Sequence, residues 1–362
     1  MRIIFHHPLP LDANAKSASG IRPLCMLKAF QDLGYEVDLV TGYAQERKEA
    51  INRIKSNLKQ GVKYDFVYAE SSTMPTTLTE RHHLPTHPFL DFNFFRLCKK
   101  NNIPIGLFYR DIYWMFDEYA KGVGPIKTFF AKIAYKFDLF VYKKTITKLY
   151  LPSVEMGKFI PNIDSTKIEA LPPGHMQAEL LAPKTYASNS LKLFYVGGMS
   201  DHYRLHKLFS ILVETPEVEF VLCTRQDEWD QVRREYPKLT SNIKIIHESG
   251  EAMRKYLSEC DIAVLCVESS EYWTFASPVK LYEYLGAGKP ILSSRGTLTG
   301  EFVESNGVGW VVPYDETELR RHLKLLLENP EMVVRAKEKL AIVAPHHTWQ
   351  ARAKQVCAGL SK

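Results

Sequence analysis

Apolar residues along the chain alternate between two periods. Short runs such as Arg2–Phe5, Glu36–Val40, Asp65–Tyr68 and Ile103–Tyr109 read as strands. Between the first two, Leu24, Leu27, Ala29, Phe30 and Leu33 recur at helical spacing from Ile21 and stop at Gly34, which makes a βαβ unit. Further helices are predicted near Lys48–Gln60 and over Phe89–Asn101. The pattern pauses at Leu171-Pro172-Pro173-Gly174, after a strand-like Lys167–Ala170. It restarts with Leu191–Val196, Val218–Cys223, Ile243–His247, Ile262–Val267 and Ile291–Ser293. Strands and helices in this order predict two α/β halves, each a parallel sheet with helices on both faces. Ligands of such sheets bind beyond the C-terminal strand ends, so the cleft between the halves is the expected site.

Length agrees with two halves, because 362 residues exceed what one core usually fills. An apolar fraction of 45% excludes a disordered chain. The net charge of +6 is too small to imply nucleic acid and leans toward phosphates or a membrane surface. Six cysteines without a CxxC pair read as reduced thiols. The start, MRIIFHHPLPLD, lacks a signal-peptide core, and no apolar run approaches the roughly 20 residues of a membrane span. A cytoplasmic protein, free or at the inner face of the cell membrane, is expected.

The segment Ser277–Ser294, SPVKLYEYLGAGKPILSS, carries the most chemistry. Ser277 is predicted to cap a helix with Pro278 in its first position and Gly286 and Gly288 at its end. Lys280 beside free backbone N–H groups favours a phosphate, and Glu283, three residues on, suits a hydroxyl pair on the same face. Together they outline a nucleoside diphosphate site. A capped amphipathic helix with a solvated Lys280–Glu283 pair fits the same residues.

That wording resembles the nucleotide-binding segment of family 4 glycosyltransferases (glycosyl transferases group 1) of the GT-B fold. Phe194-Tyr195-Val196-Gly197-Gly198 followed by Arg204 and Lys207 is similar to that family's glycine turn and basic pair. His247–Gly250, including Glu248, resembles its turn beside the nucleobase. Leu149–Ser153 resembles the end of the N-terminal sheet, and His347-Thr348-Trp349 the start of the last helix. The resemblance implies two Rossmann-like parallel-sheet domains facing across a cleft. Residues 1–172 would be the acceptor domain and 173–342 the nucleotide-sugar domain, with a helix in 343–362 packing back on the first. Glu283 would accept from the ribose hydroxyls, while Lys280, Arg204 and Lys207 neutralise the diphosphate leaving group, with Pro278 at the helix start. Charge develops on that group in the transition state, so fixed cations there are catalytic. No DxD sequence occurs, and a reaction without metal or other cofactor is expected. The family's usual first glutamate, eight positions before Glu283, is here Phe275.

In the N-terminal half Tyr109–Trp114, YRDIYW, is similar to an RDxW segment of some family members. Asp111 is the candidate to orient or deprotonate an acceptor hydroxyl; Arg110 would pair with it or reach the phosphates. A salt bridge fixing the loop is the plain alternative. The loop Ala18–Arg22 would bring Gly20 and Arg22 to the donor phosphates. His202 and His206 share i, i+4 spacing but lack a third ligand, so no metal site is assigned.

Lys121–Lys148 mixes lysines with Phe and Tyr around one acid, Asp138. Phe129, Phe130, Ile133 and Phe137 share a helix face that suits either the core or a peripheral contact with anionic lipid. The expected activity is a retaining transfer from a UDP- or GDP-sugar to a glycan or polyprenyl-linked acceptor, in bacterial surface polysaccharide assembly. A nucleotide-sugar 2-epimerase of related fold and a non-catalytic nucleotide-binding subunit stay open.

Overall fold

The computed structural model describes residues 1–15, 17–161, 163–176, 190–199 and 203–361. They form two compact units, Met1–Pro173 with Trp349–Lys362 and Gly174–Thr348.

The first unit holds strands β1 (Arg2–His7), β2 (Glu36–Thr41), β3 (Val67–Glu70), β4 (Ile105–Phe108), β5 (Lys148–Leu151) and β6 (Ile168–Ala170). They pair in the order β2-β1-β3-β4-β5-β6 with every pairing parallel. Helices α1 (Ala18–Asp32), α2 (Ala44–Lys59), α3 (Leu90–Lys100), α4 (Asp117–Val123) and α5 (Pro125–Thr145) lie between them in sequence. Burial on both faces explains the uninterrupted apolar reading of the inner strands. In the second unit β7 (Leu191–Val196), β8 (Val218–Cys223), β9 (Ile243–Ile246), β10 (Ile262–Leu265), β11 (Ile291–Ser294) and β12 (Gly309–Val312) pair as β12-β11-β10-β7-β8-β9, again all parallel. Its helices are α6 (His206–Leu212), α7 (Gln226–Val232), α8 (Gly250–Glu259), α9 (Val279–Gly286), α10 (Leu298–Asn306), α11 (Glu316–Glu328) and α12 (Glu331–Val343).

Helix α13 (Trp349–Leu360) returns to the first unit. Trp349, Val356 and Leu360 join Phe5, Phe30 and Tyr68 in its core. Gly106 makes room for it, since a Cβ there would stand 2.6 Å from Leu360 Cδ1. A buried ion pair stiffens the other flank of that sheet: Arg47 Nε and Nη2 donate to Asp91 at 3.0 and 3.1 Å, and His6 Nε2 lies 2.7 Å from the same carboxylate. Burial pushes the Asp91 carboxyl up, but Arg47 and His6 outweigh it and hold the group at about 2.

Two local expectations change. Helix α1 begins at Ala18, so Gly20 sits inside its first turn and not in a loop; a Cβ on Gly20 would press on the Ala15 methyl. Strand β12 is additional to the predicted set, because its four residues GWVV lie at the sheet edge and alternate poorly.

Candidate functional site

In the second unit two predicted segments meet. Strand β7 ends in the glycine turn, where Gly197 N–H donates to the Cys223 carbonyl at 3.0 Å and the Tyr195 hydroxyl donates to the Gly198 carbonyl at 3.0 Å. Helix α9 starts at Val279 with Pro278 as its N-cap and no side chain capping its first N–H groups. Ser277 is therefore not the cap; its hydroxyl instead meets the Tyr282 hydroxyl at 3.1 Å. From the first turn of α9, Lys280 reaches the glycine turn so closely that a Cβ on Gly197 would overlap its ammonium. The same ammonium lies 5.1 Å from the Tyr195 ring centroid and 4.5 Å from that of Tyr203.

Desolvation among these rings lowers Lys280 to about 8, against the opposing pull of Glu283 and Glu228. No hydrogen-bonded ion pair closes Lys280 off among the described residues. Glu228 is engaged elsewhere, accepting from Met199 N–H at 2.9 Å and from Arg225 Nη1 at 3.0 Å. Glu283 has an exposed side chain, yet surrounding protein pushes its carboxyl up, while Lys280 and Arg254 pull it down. A solvated Lys280–Glu283 pair is thus not what forms. The crevice behind Lys280, walled by Tyr195, Trp273 and Thr297, holds only about 10 Å³, space for roughly one water.

The glycines and second lysine of the motif have separate structural work. Gly286 lets α9 lie against the buried His175 ring, 2.6 Å from where a Cβ would be, and Gly288 turns out of the helix at φ +65°. Lys289 is buried and donates to the Ser258 and Cys260 carbonyls at 2.8 and 2.6 Å, satisfying the end of α8.

Arg204 and Lys207 are drawn to Tyr314. The Tyr314 hydroxyl donates to the exposed Arg204's carbonyl at 2.7 Å, and the Lys207 ammonium donates to the Tyr314 carbonyl at 2.8 Å. Glu248 is exposed beside the start of α8, its carbonyl accepting from Cys223 Sγ–H at 3.2 Å. His206 stacks on Tyr236 with centroids 4.4 Å apart, and His202 lies outside the described residues. No cluster of three His, Cys, Asp or Glu side chains able to hold a metal ion is found among the described residues. Phe275 is buried and packs edge-on against Tyr272, 5.4 Å away.

The first unit gathers charge at its strand ends. Glu70, the last residue of β3, is fully buried between Arg110 Nη2 at 3.1 Å and Arg22 Nε at 3.3 Å, and accepts from the Tyr68 hydroxyl at 2.8 Å. Arg110 therefore pairs with Glu70 and not with Asp111. Arg22 is buried over the Phe108 ring, 3.5 Å from its centroid, and is not a surface cation. Asp111 accepts from Tyr113 N–H at 2.9 Å, and burial raises its carboxyl. Glu70 was the residue missed from sequence, although a lone acid closing the buried strand VYAE is a signal.

Residues 190–329, which include the glycine turn and α9, match the family model "Glycosyl transferases group 1". No curated protein sequence matches the chain. Among solved structures it is similar to Anabaena HepE in complex with UDP-glucose, at TM-score 0.64 and 13% identity over 99% of each chain. It is similar to sucrose-phosphate synthase from Thermosynechococcus elongatus, at TM-score 0.65 and 14% identity over 99% of this chain and 98% of that one. A third is the lipopolysaccharide outer core galactosyltransferase WaaB in its apo form, at TM-score 0.60 and 11% identity over 99% of each chain. At these identities the structures establish the GT-B fold, and the family match supports sugar transfer through residues 190–329. The chain is a glycosyltransferase of the GT-B fold, and its residues 190–329 match the glycosyl transferases group 1 model.

Proposed function

We propose that the protein moves a sugar from a UDP- or GDP-sugar to a glycan or lipid-linked acceptor, with retention and without a metal, in surface polysaccharide assembly. One observation carries the donor part of this reading: Lys280 stands against a glycine turn that admits no side chain, one helical turn before the exposed carboxylate of Glu283. The ammonium and the uncapped N–H groups of α9 suit the diphosphate, and Glu283 suits the ribose hydroxyls. Arg204, held at its backbone by Tyr314, and Lys207, whose ammonium Tyr314 holds, are assigned to the same leaving group. Cations so placed stabilise charge that appears only as the sugar–phosphate bond breaks. The UDP-glucose bound by HepE makes a uridine nucleotide the first donor to try.

Asp111 is assigned to the acceptor hydroxyl, held in place by Tyr113 N–H and with a raised affinity for protons. The Asp111→Asn variant tests this; unimpaired transfer removes Asp111 from the reaction. Domains are assigned as acceptor unit first and donor unit second.

The experiment is a thermal-shift panel of UDP, GDP, ADP and CMP, followed by incubation of the matching sugar nucleotides with and without acceptor glycans. Transfer in the presence of EDTA is the expected result. Epimerised nucleotide sugar in the absence of acceptor, or no nucleotide binding at all, contradicts the reading.

A further inference from the structure

Helix α5 has two apolar faces, and only one of them packs on its own unit. Thr128, Ala131, Tyr135, Leu139 and Tyr142 are buried. Turned about half a revolution away by the 100° helical step are Ile126, Phe129, Phe130, Ile133 and Phe140. These are exposed by 74, 63, 62, 52 and 50% respectively. Five large exposed side chains on one helix exceed the scattered surface apolar residues that need no explanation.

The stripe runs into a groove between α5 and α3 of about 500 Å³. Phe92 and Phe140 wall it, their centroids 6.5 Å apart, and Arg96, Lys99, Lys100 and Lys144 line it. Two of these cations lie over the walls, Arg96 at 5.5 Å from the Phe92 ring centroid and Lys144 at 5.9 Å from that of Phe140. Lys132, Lys136 and Lys143 flank the stripe along α5. The only carboxylate of α5 is Asp138 and the only one of α3 is Asp91, and both are buried. The surface these helices present thus combines exposed aromatics with cations and offers no acid from either helix.

We propose that the outer face of α5 and its groove with α3 form a docking surface for an anionic lipid bilayer. The Phe and Ile stripe enters the interface, and the flanking and groove cations meet headgroup phosphates. Charge selects this occupant over a second copy of the chain, because symmetric self-association would oppose two cationic faces. The inference is independent of the donor site, which lies in the other unit.

Co-sedimentation of the intact protein with vesicles tests it. Binding to phosphatidylcholine–phosphatidylglycerol vesicles is expected, with little to pure phosphatidylcholine and release by salt. The Phe129→Ser, Phe130→Ser double variant should lose roughly ten-fold or more in partitioning. Lys100→Glu with Lys136→Glu should lose about five-fold per lysine, and both variants should keep the parental Tm; Lys99 is kept because its ammonium donates to the Lys144 carbonyl at 2.9 Å. Equal binding to neutral vesicles, no binding to either, or unchanged binding by the Phe variant overturns the proposal. So does a dimer, seen by sedimentation velocity, that Phe129→Ser dissolves while vesicles bind neither protein.

Discussion

The ammonium of Lys280 fills the space that a β-carbon on Gly197 would need. A turn residue and a helix residue 83 positions apart in the sequence are thereby locked to one another. The lock is asymmetric, since the glycine backbone is fixed by its hydrogen bond to Cys223 while the lysine is the end of a flexible chain.

Gly197→Ala should therefore displace Lys280 and press on the buried Tyr195 hydroxyl, 2.7 Å from the new β-carbon, without unfolding the unit. Nucleoside diphosphate affinity is expected to fall by about ten-fold or more, with a loss of stability below about 2 kcal/mol. Titration calorimetry and thermal denaturation of the same sample separate the two. A large fall in Tm with unchanged affinity would contradict the arrangement.

If Lys280 holds the donor as proposed, binding should depend on pH. In the free protein its pKa is about 8, lowered first by desolvation. Below that value the ammonium is charged and ready for the diphosphate. Above it, binding must supply a proton, so affinity should decline as pH rises through 8 toward 9.5, by up to about ten-fold per pH unit. Lys280→Gln should bind weakly at every pH and remove this dependence.

Asp138 predicts an effect on stability in the opposite unit. Burial raises its carboxyl from 3.8 to about 7, although Thr76 N–H donates to it at 2.8 Å. Between these values the folded protein holds a proton that the unfolded chain has released, so this group makes stability fall as pH rises from about 4 to 7. Asp138→Asn should remove that decline, raising stability at pH 8 by on the order of 1 kcal/mol or more while changing little at pH 4. Urea denaturation at the two pH values measures it.

Much of the frame was legible in the residues. Leu191–Val196 and Val218–Cys223 are apolar runs broken only by one charged residue each, Lys192 and Glu219, and both are strands with those limits. Buried parallel strands leave little else for such runs to be. Gly197 and Lys280 each stand out in the sequence as candidates from their motifs, but their overlap does not, because it depends on how β7 and α9 are placed. Arg110 shows the same limit: its partner Glu70 lies on the neighbouring strand, and the adjacent Asp111 misleads. For α5 the periodicity announced an apolar face and could not say which way it turns. A second stripe, Ala131, Tyr135, Leu139 and Tyr142, takes the core; Phe129 and Phe130 are left outside, while Phe137 packs against Phe89 and Phe92.

In the proposed donor site Glu283 holds the ribose of a nucleoside diphosphate and Lys280 holds its phosphates. The most direct measurement is calorimetric titration of UDP, GDP and their 2′,3′-dideoxy analogues into the parent and Glu283→Ala. The account predicts that Glu283→Ala weakens the ribonucleotide by roughly ten-fold or more, the value of hydrogen bonds to a charged group, and leaves the weaker dideoxy analogue unchanged. Equal affinity of parent and variant for the ribonucleotide would contradict it.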